Sequence, residues 1–187
     1  MSGAVERWFE PGDGMAFVVR LLNTWDELEP DPELLRDPSI ASRFLRRHGF
    51  DDAAALADDE EVASLRGLRA RVRTAWDAKE DAAAVDQLNA VLASSRVQPR
   101  LEPAAGGWVF RWDAPGLRAS DFAPGLCAST LLGEISVHGR RRLGTCLGAP
   151  CRCVFVDRSR SRTRRYCCDL CADRVNQAAR RRRLRGG

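Results

Sequence analysis

The stretch CLGAPCRCVFVDRSRSRTRRYCCDLC, residues 146–171, decides how the C-terminal part of the chain must fold. It holds six of the seven cysteines in a chain of 187 residues. Core thiols scatter along a sequence, whereas a cluster of this kind points to ligands for a metal ion. Four of the six stand as two pairs, Cys146-x4-Cys151 and Cys167-x3-Cys171, with fifteen residues between the pairs. Zinc prefers four tetrahedral thiolates or imidazoles, and paired ligands on two short loops meet that need. Gly148 and Pro150 favour a turn, so the first pair is expected on a knuckle. Residues 153–157 then read as a strand, and residues 159–166 as the returning arm of a hairpin. A final helix is expected from Asp169 to about Arg185, with Cys171 in its first turn. Knuckle, hairpin and helix resemble a treble clef. With sulfur at all four positions no site stays open for water, so the expected Zn²⁺ is structural and not catalytic. The spacing leaves two alternatives open: Cys168-x2-Cys171 also fits a knuckle, and Cys153 lies beside Cys151.

Charge sharpens this reading. Residues 1–139 carry 15 Lys+Arg against 23 Asp+Glu, a net −8. Residues 140–187 carry 15 arginines against Asp157, Asp169 and Asp173, a net +12. An acidic body with a concentrated basic end implies a polyanionic partner for that end alone. Alternation would put Arg160, Arg162 and Arg164 on one strand face, with Arg158 and Arg165 beside them. In the final helix Arg174, Gln177, Arg181 and Arg185 share a face at three- and four-residue spacing, and Arg182 adds charge. Val175, Ala178 and Ala179 are the expected inward positions. Such arginines neutralise phosphates and can read guanine edges. Phe155 and Tyr166 are the only aromatics of the module, and Phe155 reads as core, so duplex DNA is favoured over single strands that need stacking platforms.

The preceding 139 residues read as a helical domain, and 140–187 as the zinc module, with the glycine-flanked, basic run 139–144 as the boundary. Residues 15–25 form a short apolar run with a helix ending near Asn23. Asp37-Pro38 matches an N-cap followed by proline at the first helical position, and Gly49 supplies the stop after His48. A helix from Asp58-Asp59 would bury Val62, Leu65, Leu68, Val72, Ala75 and Trp76. The next, about 81–93, carries Val85, Leu88 and Leu92. Residues 98–101 and 108–112 read as two short strands around a 103–107 turn. A helix over about 119–138 carries Phe122, Leu126, Leu131, Leu132 and Ile135, with Pro124-Gly125 interrupting its first turns. The fold class is therefore mainly α, with one short β-hairpin in the N-terminal domain and a treble-clef-like finger behind it.

Other signals read as structural. His48 and His138 sit at helix ends, where a cation suits the dipole. Cys127 lies on an apolar helix and reads as core. Trp8, Trp25, Trp76, Trp108 and Trp112 read as core packing ahead of a ligand cavity. No nucleophile–base pair, phosphate-binding glycine loop, Gly-x-Ser-x-Gly or HExxH stands out, so no enzyme is expected. No run approaches the roughly 18 apolar residues of a membrane span, and the N-terminus lacks a secretory pattern. The expected location is the cytoplasm, at the nucleoid if the chain binds DNA.

These residues carry a resemblance. Cys146-Leu-Gly-Ala-Pro-Cys151, the segment from Val154 to Cys167, and the segment from Cys171 to Arg183 resemble the CGNR zinc-finger family. That family's F-x-D-x-S-R segment matches Phe155, Asp157, Ser159 and Arg160. Its last ligand opens a Cys-Gly-Asn-Arg motif, which here reads Cys171-Ala172-Asp173-Arg174. Its third ligand follows an aromatic residue, which implies Cys167 after Tyr166 and leaves Cys153 and Cys168 non-ligating. An acid replaces a neutral amide at Asp173, and a local cap or ion pair, to Arg174 or Arg180, is the expected use. The body is similar to the family's usual N-terminal partner, the ABATE domain of stress-induced transcription regulators. Leu22-Asn23-Thr24, Leu88-Asn89 and Trp108 carry that similarity. The resemblance implies a DNA-binding transcription regulator whose body senses a small molecule or mediates assembly. The alternatives are a zinc-stabilised module for RNA or an acidic protein and, behind these, an enzyme with an unrecognised site in the body.

Overall fold

A computed structural model describes residues 11–104, 107–112 and 116–185, without the side chains of 11–13, 104, 109–111, 182 and 185. The expected Trp8 therefore lies outside the described residues. The body is built on α4 (Asp59–Asp77) and α6 (Ala119–His138), with α1 (Pro11–Leu22), α2 (Pro38–Arg47), the short α3 (Asp51–Ala55) and α5 (Asp81–Ala93) packed around them. The α4 stripe is buried as its spacing requires, from Val62 through Leu65, Leu68 and Val72 to Ala75 and Trp76. Its start is capped by the Asp58 carboxylate, which accepts the Glu61 N–H at 2.9 Å. Asp37 does the same for α2 through the Ile40 N–H, with Pro38 at the first helical position. Gly49 follows with φ 81°, a left-handed conformation open to glycine at little cost.

Several expectations shift. On α5 the buried side is Ala84, Leu88 and Val91, while Leu92 is exposed. Leu88 is shared with the expected stripe, but Ala84 and Val91 take the buried places expected of Val85 and Leu92. Pro124 does not interrupt α6, which is continuous from Ala119. The Asp121 carbonyl in this turn accepts the Arg96 N–H at 3.0 Å and the Ser95 hydroxyl at 3.2 Å, so donors from outside the helix support it. Gly125 is required there: a Cβ would stand 2.5 Å from Trp112 and 2.7 Å from Ser95. The strands β1 (Arg100–Ala104) and β2 (Gly107–Arg111) pair antiparallel from Arg100↔Arg111 to Ala104↔Gly107, so Pro103 and Ala104 belong to the strand and not the turn. Trp76 and Trp112 are core, but Trp25 and Trp108 are 47% and 71% exposed.

A charged group is buried between α4 and α6. Glu61 is wholly enclosed and accepts from Arg118 Nε at 2.9 Å and the Ser120 N–H at 2.6 Å. Burial pushes its carboxyl up, against those donors. Arg118 also pairs with Asp58, so one guanidinium ties the start of α4 to the start of α6.

The C-terminal module does not hang from a flexible linker. Residues 140–142 form a 3-10 turn in which Arg140 Nη2 donates to the Trp76 carbonyl at 2.7 Å. Arg142 turns the other way and bonds the Asp157 carbonyl at 2.9 Å. The strand β3 (Leu143–Thr145) then pairs antiparallel with β4 (Val154–Val156). Gly144 faces Phe155, whose ring leaves no room for a Cβ, which would stand 2.5 Å away. Val154 is 1% exposed and belongs to the core of the helical body. Asn23, at the end of α1, clamps it: Asn23 Nδ2 donates to the Val154 carbonyl at 3.0 Å, and the Val154 N–H donates to Asn23 Oδ1 at 2.7 Å. One side chain thus serves β4 as a third strand would.

His48 closes α2 and packs edgewise on Phe17, with ring centroids 5.1 Å apart, while its Nε2 is enclosed without a partner. Burial, then the charges of Arg20 and Arg47, lower its pKa to about 4 from 6.5. The imidazole is therefore neutral in the folded state, and the helix-end cation expected from sequence is absent. The unfolded chain binds the extra proton between these values, so stability is complete above about pH 6.5 and falls as pH drops towards 4. The loss should be on the order of 3 kcal/mol. Urea unfolding at pH 7 and pH 4.5 should show it, and His48→Phe should remove most of that pH dependence.

Candidate metal centre and basic surface

The knuckle begins where β3 ends. Cys146 N–H bonds the Cys153 carbonyl at 2.9 Å, and Cys151 N–H bonds the Gly148 carbonyl at 3.0 Å, so residues 146–151 curl back on themselves. The helix α7 (Asp169–Arg185) brings Cys171 up from its first turn. The sulfurs of Cys146, Cys151, Cys167 and Cys171 all lie within 4.8 Å of one another. Cys167 Sγ stands 3.7 Å from Cys151 Sγ and 3.6 Å from Cys171 Sγ. Four sulfurs about 2.3 Å from one tetrahedral zinc ion would stand roughly 3.8 Å apart, so the donors present fit that ion. Backbone donors point at them as well, Gly148 N–H at Cys146 Sγ (3.4 Å) and Cys153 N–H at Cys151 Sγ (3.5 Å).

The electrostatics agree. Burial, then the sulfurs of Cys151 and Cys146, push the Cys171 thiol up to about 12. Burial and the three neighbouring sulfurs push Cys167 higher still. Burial works against the Cys146 thiolate too, yet the N–H groups of Cys167 and Gly148 bring it below its ordinary value. A bound divalent cation would offset the raised values of Cys167 and Cys171 and let them bind as thiolates. Cys168, the alternative third ligand, is exposed and outside the cluster. Cys153 sits near Cys151 and Asp26, where burial and then Cys151 push its thiol up to about 12. The remaining cysteine, Cys127, is fully buried in the body, as expected.

The arginines are arranged differently from the sequence pattern. Residues 159–166 do not return as a strand: the partner of β4 is β3, upstream. Asp157 is the reason. Its carboxylate, 4% exposed as a residue, accepts the Ser159 N–H at 2.8 Å and the Arg164 N–H at 2.9 Å. Both bonds turn the backbone into a loop instead of a ladder. Ser159 and then the Arg164 N–H hold this carboxyl below its usual range. Arg162 takes a left-handed φ of 54° inside the loop, with its N–H on Ser159 Oγ at 3.1 Å. The alternating face of Arg160, Arg162 and Arg164 therefore does not form. Arg164 is exposed but its guanidinium is engaged, 4.8 Å over the Phe155 ring and donating to the Tyr166 carbonyl at 2.9 Å and to the Cys167 carbonyl. Arg158 reaches the buried Glu134 of α6 at 3.9 Å.

On α7, Gln177 and Arg181 are exposed, and Val175, Ala178 and Ala179 are half-buried, as expected. Arg174 leaves that face: its guanidinium donates to the Gly148 carbonyl and stands 3.7 Å from Cys171 Sγ. Among the described residues Asp173 is exposed and forms no ion pair with Arg174 or Arg180. The side chains of Arg182 and Arg185 lie outside the described residues. Of the exposed arginines of the loop and helix, Arg158 and Arg164 are engaged as described, while Arg160, Arg162, Arg165, Arg180, Arg181 and Arg183 make no ion pair among the described residues. Sequence reasoning missed the contacts that Arg164 and Arg174 make within the protein. The kept arginine of the Cys-x-x-Arg motif was the available signal for the second, since a residue three after a ligand returns to the ligand's side of the helix.

A helical body carrying a docked four-cysteine finger is the architecture of a zinc-finger protein. Comparison with family models agrees: residues 16–138 match ABATE, described as "Putative stress-induced transcription regulator", and residues 142–184 match the CGNR zinc finger. The chain belongs to the ABATE family and carries a CGNR zinc finger whose zinc is structural. No curated protein matches the chain. Among the described residues no helix is long and apolar enough to cross a membrane.

Cys167→Ser and Cys171→Ser should each abolish stoichiometric zinc, while Cys153→Ser and Cys168→Ser should retain one ion per chain by native mass spectrometry. Arg174→Leu should keep the ion but lose it to a competing chelator at roughly 10- to 100-fold lower chelator concentration. Zinc retention by Cys167→Ser together with loss by Cys168→Ser would reverse the ligand assignment.

Proposed function

We propose that the finger binds double-stranded DNA and that the chain acts as a transcription regulator, with residues 1–139 as the sensing or assembly domain and 140–187 as the DNA-binding domain. The observation that carries this reading is the exposed set Arg160, Arg162, Arg165 and Arg181 on a module whose backbone the zinc cluster and Asp157 hold in place. Guanidiniums on a fixed frame lose little entropy on meeting phosphates, and the counterions they release supply the affinity. Gln177 is exposed on the same helix as Arg181 and has the amide that addresses adenine. Phe155 is 5% exposed and Tyr166 half-buried, so the described part of the module offers no open stacking platform for single strands. Arg158 and Arg164, engaged within the protein, support the frame, and Arg174 supports the metal site.

Binding to duplex DNA should weaken steeply with salt, with a log–log slope of roughly −4 to −8 for about five to nine phosphates. Replacing Arg160, Arg162 and Arg165 together by alanine should flatten that slope by roughly 2 to 3. Structured RNA and single strands, titrated at the same salt, should bind more weakly than duplex DNA. A flat salt response of the zinc-loaded protein, or a preference for RNA, would contradict the proposal.

A further inference from the structure

Where finger and body meet, a cavity of about 320 Å³ opens between the end of α1, the loop after it, α4 and the finger. Four of its lining side chains are arginines. Arg66, Arg69 and Arg73 lie three or four residues apart and so on one face of α4, and Arg152 comes from the finger, between Cys151 and Cys153. Trp25 supplies the apolar wall, with 47% of its surface uncovered. An indole left this open beside cations is a platform for a flat group.

The hydrogen-bond inventory shows what the cavity lacks. Arg69 is satisfied: Nη1 donates to Thr24 Oγ1 at 2.8 Å and to Glu33 Oε1 at 2.7 Å, and its guanidinium lies 5.7 Å from the Trp25 ring centroid. Arg73 is not. Its Nε bonds Asp77 Oδ2 at 2.7 Å and its Nη1 the Arg152 carbonyl at 2.8 Å, but Nη2 is enclosed without a hydrogen-bond partner. Arg152 is 60% exposed along its side chain and reaches Asp77 only at 3.4 Å. Asp77 Oδ2 thus serves both guanidiniums on one side, and the exposed remainder of Arg152 at the rim of the cavity is the group that calls for an anionic oxygen. Glu27, Glu33 and Asp77 border the same arginines and leave the cavity weakly positive, which suits a monoanion and disfavours a polyanion.

We propose that this junction cavity binds a small aromatic carboxylate, with its ring against Trp25 and its carboxylate on the exposed guanidinium of Arg152. The volume lies at the low end of small-molecule pockets, which fits one or two fused rings and excludes a dinucleotide. A bound acid would bridge the loop after α1 and the residue between two finger cysteines, tying the body's occupancy to the seat of the metal module.

The zinc-loaded full chain should be titrated with benzoate and indole-3-carboxylate, with cyclohexanecarboxylate and inorganic phosphate as controls, by isothermal calorimetry. At least one aromatic acid should bind saturably, and both controls at least tenfold more weakly. Arg152→Gln and Trp25→Leu should each weaken the aromatic acid at least tenfold, with zinc content and melting temperature unchanged; both side chains are exposed, so neither change empties the core. No saturable binding of either aromatic acid up to about 10 mM, binding indifferent to both substitutions, or equal binding of cyclohexanecarboxylate would overturn the proposal. No nucleic acid enters the measurement, so its failure and that of the DNA reading are separate results.

Discussion

Four sulfurs gathered within 4.8 Å of one another, a donor set that fits one tetrahedral zinc ion, are the constraint from which the rest of the C-terminal module follows. Cys146 and Cys151 come from the knuckle between β3 and β4, Cys167 from the loop before α7 and Cys171 from the first turn of α7, and no hydrophobic core of useful size lies beside them. A module this small cannot bury enough apolar surface to fold by itself. Zinc replaces the missing core by joining the knuckle to the first turn of the helix. Arg174 adds a second tie from the helix to the knuckle through the Gly148 carbonyl, and Arg164 ties the loop to the Cys167 carbonyl. Two of the arginines expected from sequence as nucleic-acid contacts thus also bond backbone carbonyls beside the metal site.

The second feature is that the finger is seated in the body. Val154 is buried in the helical core, and Asn23 satisfies both of its backbone groups. Arg73 of α4 bonds the Arg152 carbonyl, and Arg158 reaches Glu134 of α6. Leaving buried N–H and C=O groups unpaired costs on the order of 1–3 kcal/mol each, so the Asn23 clamp weighs heavily in this junction. The arrangement gives a physical route by which anything bound near Trp25 and Arg152 could reach the metal module.

Much of this was legible in the sequence where one physical rule dominated. The α4 stripe, the Asp37-Pro38 start and the zinc cysteines each obey a single periodicity or valence, and the structure follows them. The Cys167 choice needed the family resemblance, because spacing alone allowed Cys168. The reading failed where a side chain competed with the backbone pattern. Asp157 takes two N–H groups and turns residues 159–166 into a loop, although their alternation looks like a strand. Arg164 and Arg174 carry the same charge as their exposed neighbours, and only three-dimensional neighbours distinguish them. Trp25 read as core because indoles usually are, and its exposure reflects a cavity assembled from residues more than a hundred positions apart. On α5 the buried Ala84 is too small to register as an anchor in a search for large apolar residues.

The central claim is that zinc, and not local propensity, holds the loop and helix of the finger, while Asn23 and the core hold β4. Hydrogen–deuterium exchange of the full chain before and after chelation tests it most directly. The account predicts that removing zinc exposes the amides of residues 146–151 and 157–172, while the Val154 amide and the α4 and α6 amides stay protected. Unchanged protection across 146–172 without zinc, or global loss that includes α4, would contradict it.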